Sequence, residues 1–128
     1  MKHIKIFALI ALFLFFATMI SFAQEKPSST ITGIYQNHDN TTLKMAFVNG
    51  VNNWLRRYRP ALISQEDDYI LMTARYNHEM KIELFIRNGE YEITATITQD
   101  RYNLRGAAGD VAHVANGVNR AFLNNLPR

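Results

Sequence analysis

Residues 81–97, KIELFIRNGEYEITATI, alternate aliphatic and polar positions on both sides of an Asn-Gly pair. In an extended chain that alternation makes one apolar and one polar face, and Asn-Gly tolerates the two positive φ angles of a tight hairpin turn. Closing the turn on Asn88-Gly89 sets Ile86 against Tyr91, Leu84 against Ile93 and Ile82 against Ala95. A slip of one residue would oppose Leu84 to a polar neighbour, so the pattern and the turn chemistry select a single register. This hairpin needs a core on its aliphatic side. It leaves Lys81, Glu83, Phe85, Arg87, Glu92, Thr94 and Thr96 on the other side.

The same period continues upstream. Ile70, Met72 and Ala74 extend the apolar face, and a three-residue loop Tyr76-Asn77-His78 opposes Arg75 to Glu79 while keeping Met72 in line with Ile82. A two-residue turn at Asp67-Asp68 places Ile63 opposite Met72 and adds a strand over about 61–66, completing a four-stranded meander.

Helical spacing flanks the meander. Leu43, Phe47, Val51, Trp54, Leu55 and Tyr58 recur at steps of three and four, predicting a helix over 41–59. Asp39, Asn40 and Thr41 are capable N-caps, Pro60 stops the helix, and Gly50 is costly inside it unless another element packs closely there. Val111, Val114, Val118, Phe122 and Leu126 form a second stripe, with Asp110 as the expected N-cap. The fold class is α+β: a two-layer sandwich, a four-stranded antiparallel meander with both helices on its one apolar face. Residues 41–128 form that single domain, and the polar leader 24–40 adds at most a short edge strand at Ile31 to Tyr35.

The first residues, MKHIKIFALIALFLFFATMISFAQ, carry Lys2 and Lys5 ahead of an uncharged run that ends in Ser21-Phe22-Ala23, the pattern of a secretory signal peptide. Cleavage after Ala23 leaves 105 of the 128 residues. The apolar run 6–22 is long for a signal peptide and short for a bilayer span, so an uncleaved anchor is the alternative. The expected location is the periplasm or the cell exterior. The 14 basic residues include Lys2 and Lys5, and without them 12 stand against 11 acidic ones. That balance removes the charge argument for a nucleic-acid partner. With no cysteine, the chain has neither disulfides nor a thiol for lipid attachment.

Trp54 to Arg57, RYNHEMKIELFI, YEITATITQDRYNL and VAHVANGVNRAFLNNL together resemble the pattern of a group of small exported bacterial proteins, many of them lipoproteins, of uncharacterised function, and the resemblance covers about residues 43–126. Arg75, His78, Asn103 and His113 are positions where the pattern is matched. The chain departs from it at the lipid-acceptor cysteine, which is absent, and at the closing aromatic pair, where Asn116-Gly117 and Phe122 stand. The family implies no reaction and no ligand. The element order also resembles a TATA-binding-protein-like arrangement, with the Ile31 to Tyr35 segment as its first strand, which is an analogy of fold alone.

Chemistry-bearing residues are sparse. Beyond His3, the histidines have neither the i, i+4 spacing of a helical metal site nor the i, i+2 spacing of a strand site, so no metal or other cofactor is expected. Ser28, Ser29 and Ser64 sit in no strand-to-helix elbow, and no catalytic residue is assigned. The expectation is a non-enzymatic envelope module whose outward sheet face, Arg75, Lys81, Glu83, Phe85, Arg87 and Glu92, contacts another envelope protein. The alternative is a small-molecule or lipid-binding protein using a crevice between helices and sheet beside the small residues Gly50, Ala74, Ala95 and Gly117. The membrane enters as a partner only if the first segment stays uncleaved.

Overall fold

A computed structural model describes residues 26–99 and 106–128. The elements run β1 (Ser28–Ile34), α1 (Asn40–Trp54), a 3₁₀ turn (Arg56–Tyr58), β2 (Ala61–Glu66), β3 (Tyr69–Tyr76), β4 (His78–Arg87), β5 (Glu90–Ile97) and α2 (Ala107–Asn125). The strands make one open antiparallel sheet in the order β1-β5-β4-β3-β2. Four of them are the expected meander. The fifth, β1, is longer than the sequence suggested and starts earlier, pairing with β5 from Ser28↔Thr96 to Ile34↔Glu90.

The central hairpin has the register that its alternation demands, with Ile86 opposite Tyr91, Leu84 opposite Ile93 and Ile82 opposite Ala95. Asn88 and Gly89 both adopt positive φ, 22° and 86°. A Cβ on Gly89 would touch nothing within 4 Å, so a substitution there acts through the backbone alone. Gly89→Val should therefore destabilise the domain by about 1 kcal/mol or more, measured by urea unfolding, because a β-branched residue resists positive φ.

At the other turn Arg75 does oppose Glu79. The β2 register differs from expectation: Met72 faces Leu62, and Ile63 is an extra residue between the paired positions Leu62 and Ser64. A bulge of this kind is an edge-strand device, and it displaces the pairing by one residue.

Both helices bury their stripes on the face made by Ile70, Met72, Ile82, Leu84, Ile93 and Ile97. In α1, Leu43, Phe47 and Val51 are fully buried, as is Leu55, which caps its C-terminus. Asp39 is its N-cap, its Oδ1 accepting from Thr42 N at 2.7 Å. Hydrogen bonds from Thr42, side chain before backbone, hold the Asp39 carboxyl below its ordinary pKa. The α-helix stops at Trp54, short of position 59; the chain tightens into the 3₁₀ turn and leaves it through Arg59 in the left-handed region, just before Pro60.

The second helix also departs from expectation. Gly106, at φ 81°, is its N-cap, and Asp110 lies inside the first turn. The residues Ala107-Ala108-Gly109 read as loop in the sequence, but Ala107 is fully buried and the helix starts on it. An acid in the first turn suits the positive end of the helix dipole, and the Asp110 side chain is left available for contacts outside the helix.

Candidate functional site

Strand alternation fixes which side chains leave the core. On β4 the inward positions are Met80, Ile82, Leu84 and Ile86, so Glu79, Lys81, Glu83, Phe85 and Arg87 project from the face opposite the helices. On β3 the same rule turns Tyr69, Leu71, Thr73 and Arg75 outward, and on β5 Glu90, Glu92, Thr94 and Thr96. All six residues expected on the outward face, Arg75, Lys81, Glu83, Phe85, Arg87 and Glu92, are on it. The antiparallel register then arranges them in rows across the strands.

One row runs Glu66, Tyr69, Phe85, Glu92 and Thr32. The Tyr69 and Phe85 rings lie 4.9 Å apart, tilted by 45°. Beside them, Tyr69 donates its hydroxyl hydrogen to Glu83 Oε2 at 2.6 Å, and Lys81 Nζ stands 3.6 Å from Glu83 Oε1. Grooves of about 380 and 70 Å³ flank Phe85, the larger lined by Glu66, Asp68 and Arg87 and the smaller by Arg87, Glu90 and Glu92. Around the ring pair, carboxylates thus outnumber the single Arg87. Farther along the strands Arg75 and Arg59 stand with Glu79, and Lys81, paired with Glu83, lies between the two ends. In the row between, Thr30 and Thr94 hydroxyls meet at 3.0 Å.

Burial pushes the Tyr69 hydroxyl up to a pKa of about 12, helped by its hydrogen bond to Glu83 and by that carboxylate's charge. Raised in the folded state, it stabilises the fold in full below pH 10, and that contribution is lost as pH rises through about 12. The phenolate absorbance assigned by difference against Tyr69→Phe should accordingly titrate near pH 12. In Glu83→Gln the midpoint should move down, with the part due to burial remaining.

A second cluster forms where the β3–β4 turn meets the start of α2. His78 Nε2 lies 3.5 Å from Asp110 Oδ2, and Asn77 Nδ2 donates to the same oxygen at 3.4 Å. Above them Trp54, Tyr76 and His113 bring ring centroids within 5.3 to 6.5 Å of one another, and Tyr58 meets Tyr76 edge-on at 4.8 Å. No spacing in the sequence joins His78 to Asp110 or His113 to Trp54. Long-range packing does this, and the cluster ties the hairpin tip to α2. Of the positions shared with the family pattern, Arg75 is on the outward face, His78 and His113 are at this corner, and Asn103 lies outside the described residues.

The small residues beside the expected crevice seat the helices against each other. A Cβ on Gly50 would stand 3.0 Å from Phe122 N, and one on Gly117 would fall inside the Trp54 indole. Ala95 is fully buried and Ala74 nearly so, both in the core cluster. Among the described residues no His, Cys, Asp and Glu side chains converge as a metal site, and no helix is long and apolar enough to cross a membrane. Residues 1–23, with both the expected cleavage point and the alternative anchor, lie outside the described residues.

No family model matches the chain, and no curated protein does. Among solved structures it is similar to the Zhui aromatase/cyclase from Streptomyces sp. R1128, at 9% identity over 79% of this chain and 86% of that one, with a TM-score of 0.28. A likeness that weak carries no argument about fold or activity.

Proposed function

We propose that this chain is an exported, non-enzymatic interaction module of the cell envelope, which docks a protein segment on its outward sheet face. The observation that carries the reading is the Tyr69–Phe85 ring pair, half-exposed on the outward sheet face and bordered by Glu66, Glu83 and Glu92. An aromatic face edged by carboxylates suits a cation on a flexible stem: the ring quadrupole attracts the charge and the acids complete its pairing. The partner is therefore a segment that offers Lys or Arg beside an aliphatic residue. Arg75 and Arg59 at the far end, two cations against the single Glu79, orient it, because a segment with its cation over Phe85 and an acid farther along the strands fits in one direction only.

Export rests on the charged, apolar and small-residue regions of the first 23 residues, and the resemblance to exported envelope proteins agrees with it. The test uses the protein immobilised as bait in envelope extract, with Phe85→Ser and Glu83→Gln as controls. The parent should retain a partner that raised salt releases, and both substitutions should weaken its capture while the domain stays folded by circular dichroism. Equal capture by all three baits would leave the face as solvated sheet and sink the reading.

A further inference from the structure

We propose that two copies of this chain pair through the free edges of their β2 strands, antiparallel, across a two-fold axis near Ile63. In the sheet order β1-β5-β4-β3-β2, β2 has a neighbour on one side only. An edge like this is a template for another strand unless charge, proline, a bulge or a cover blocks it. Residues 61–66, ALISQE, hold neither lysine nor proline, Glu66 is their one charge, and the bulge at Ile63 is the one irregularity that the pairing has to accommodate. The apolar residues of β2 are exposed: Leu62 is 48% exposed on the helix side of the strand and Ile63, the residue left out of the β3 pairing, 58%. Beside them on α1, Met45 is 60% exposed, and a groove of about 180 Å³ runs between Met45 and Val48 on the helix and Leu62 and Gln65 on the strand.

The occupant is decided by charge. Arg56, Arg57 and Arg59 precede β2, and Glu66, Asp67 and Asp68 end it, all of them exposed. A strand that is basic before its midpoint and acidic after it complements its own antiparallel copy. The two-fold operation lays the arginine end of each chain beside the acidic end of the other, twice, while Ile63 meets Ile63 and groove faces groove. Parallel pairing would stack arginines on arginines. The two-fold contact also consumes both β2 edges, so assembly through it closes at two copies. The two outward faces then lie side by side on one continuous sheet.

The experiment is sedimentation velocity on the protein as cells process it, up to its highest soluble concentration. The parent should sediment as a dimer that raised salt weakens, and Ile63→Lys should make it a monomer. A chain carrying Arg57→Glu and Arg59→Glu, and a second chain carrying Glu66→Arg and Asp67→Arg, should each be monomeric alone, with circular dichroism matching the parent. Mixed in equal amounts, the two should regain the dimer, because both ends of the mixed pair are again opposite in sign. A monomeric parent, or a dimer indifferent to these changes, overturns the proposal. So does a mixture that stays monomeric.

Discussion

Gly117→Val should destabilise the domain by about 3 kcal/mol, because a side chain there occupies the volume that the Trp54 indole now fills. The ring cannot retreat far. It packs on His113 at 5.3 Å and against Tyr76 at 6.5 Å, and Tyr76 is itself held edge-on by Tyr58. Displacing it would loosen α1 from α2 at the Trp54 end of α1, next to the 3₁₀ turn that follows. For a domain of this size, whose total stability is of the order of 5–15 kcal/mol, that is a large fraction. Urea unfolding checks it, and a double-mutant cycle assigns it. In a Trp54→Leu background the same valine should cost markedly less, since the clash partner is gone. An equal cost in both backgrounds would mean that helix propensity, not the indole, sets the requirement for glycine.

The second large effect separates the two faces of β4. Leu84 is fully buried between Ile70 and Ile93, so Leu84→Ala should cost about 2–5 kcal/mol by leaving a cavity that its β-sheet neighbours cannot close. Phe85, the next residue, points the other way and loses only the Tyr69 ring contact, so Phe85→Ser should cost about 1 kcal/mol. Paired unfolding curves test the contrast. Similar large losses for both would mean that the outward face is covered in the folded protein.

Periodicity made most of the fold legible. The Asn88-Gly89 hairpin follows from an alternation whose slip would bury charge, and both helices follow from stripes that only a 3.6-residue period connects. What the alternation leaves unmarked is a residue added to one strand. Leu62 and Ile63 are both aliphatic, so either can face Met72, and only the three-dimensional ladder shows which one does. The start of α2 was obscured because Asp110 carries a cap's chemistry while Gly106 carries the backbone conformation that begins the helix.

The outward face was legible in the same way and was read too narrowly. Once Met72 is placed opposite Ile82, the antiparallel register already sets Tyr69 opposite Phe85, so the aromatic pair was implicit in the turn assigned at residues 76–78. Asp67-Asp68 reads only as a two-residue turn, and the place of Glu66 and Asp68 beside Phe85 needed the fold of β2 onto β3. The contact of His78 with Asp110 had no sequence signal at all, because the two lie 32 positions apart and meet only through tertiary packing.

The pairing of β1 with β5 also sets an order of events. A chain delivered from its N-terminus presents Ser28–Ile34 first, yet the strand that receives it, Glu90–Ile97, comes next to last among the elements. Until then β1 can neither complete its hydrogen bonds nor shelter Ile31, while the β2–β5 meander closes by contacts local in sequence. Such a nonlocal pairing is formed late, since the entropy of closing so long a loop is lost before any contact repays it. Until β1 pairs, the β5 edge is bare, and its pairing with Ser28–Ile34 is what covers it in the finished sheet.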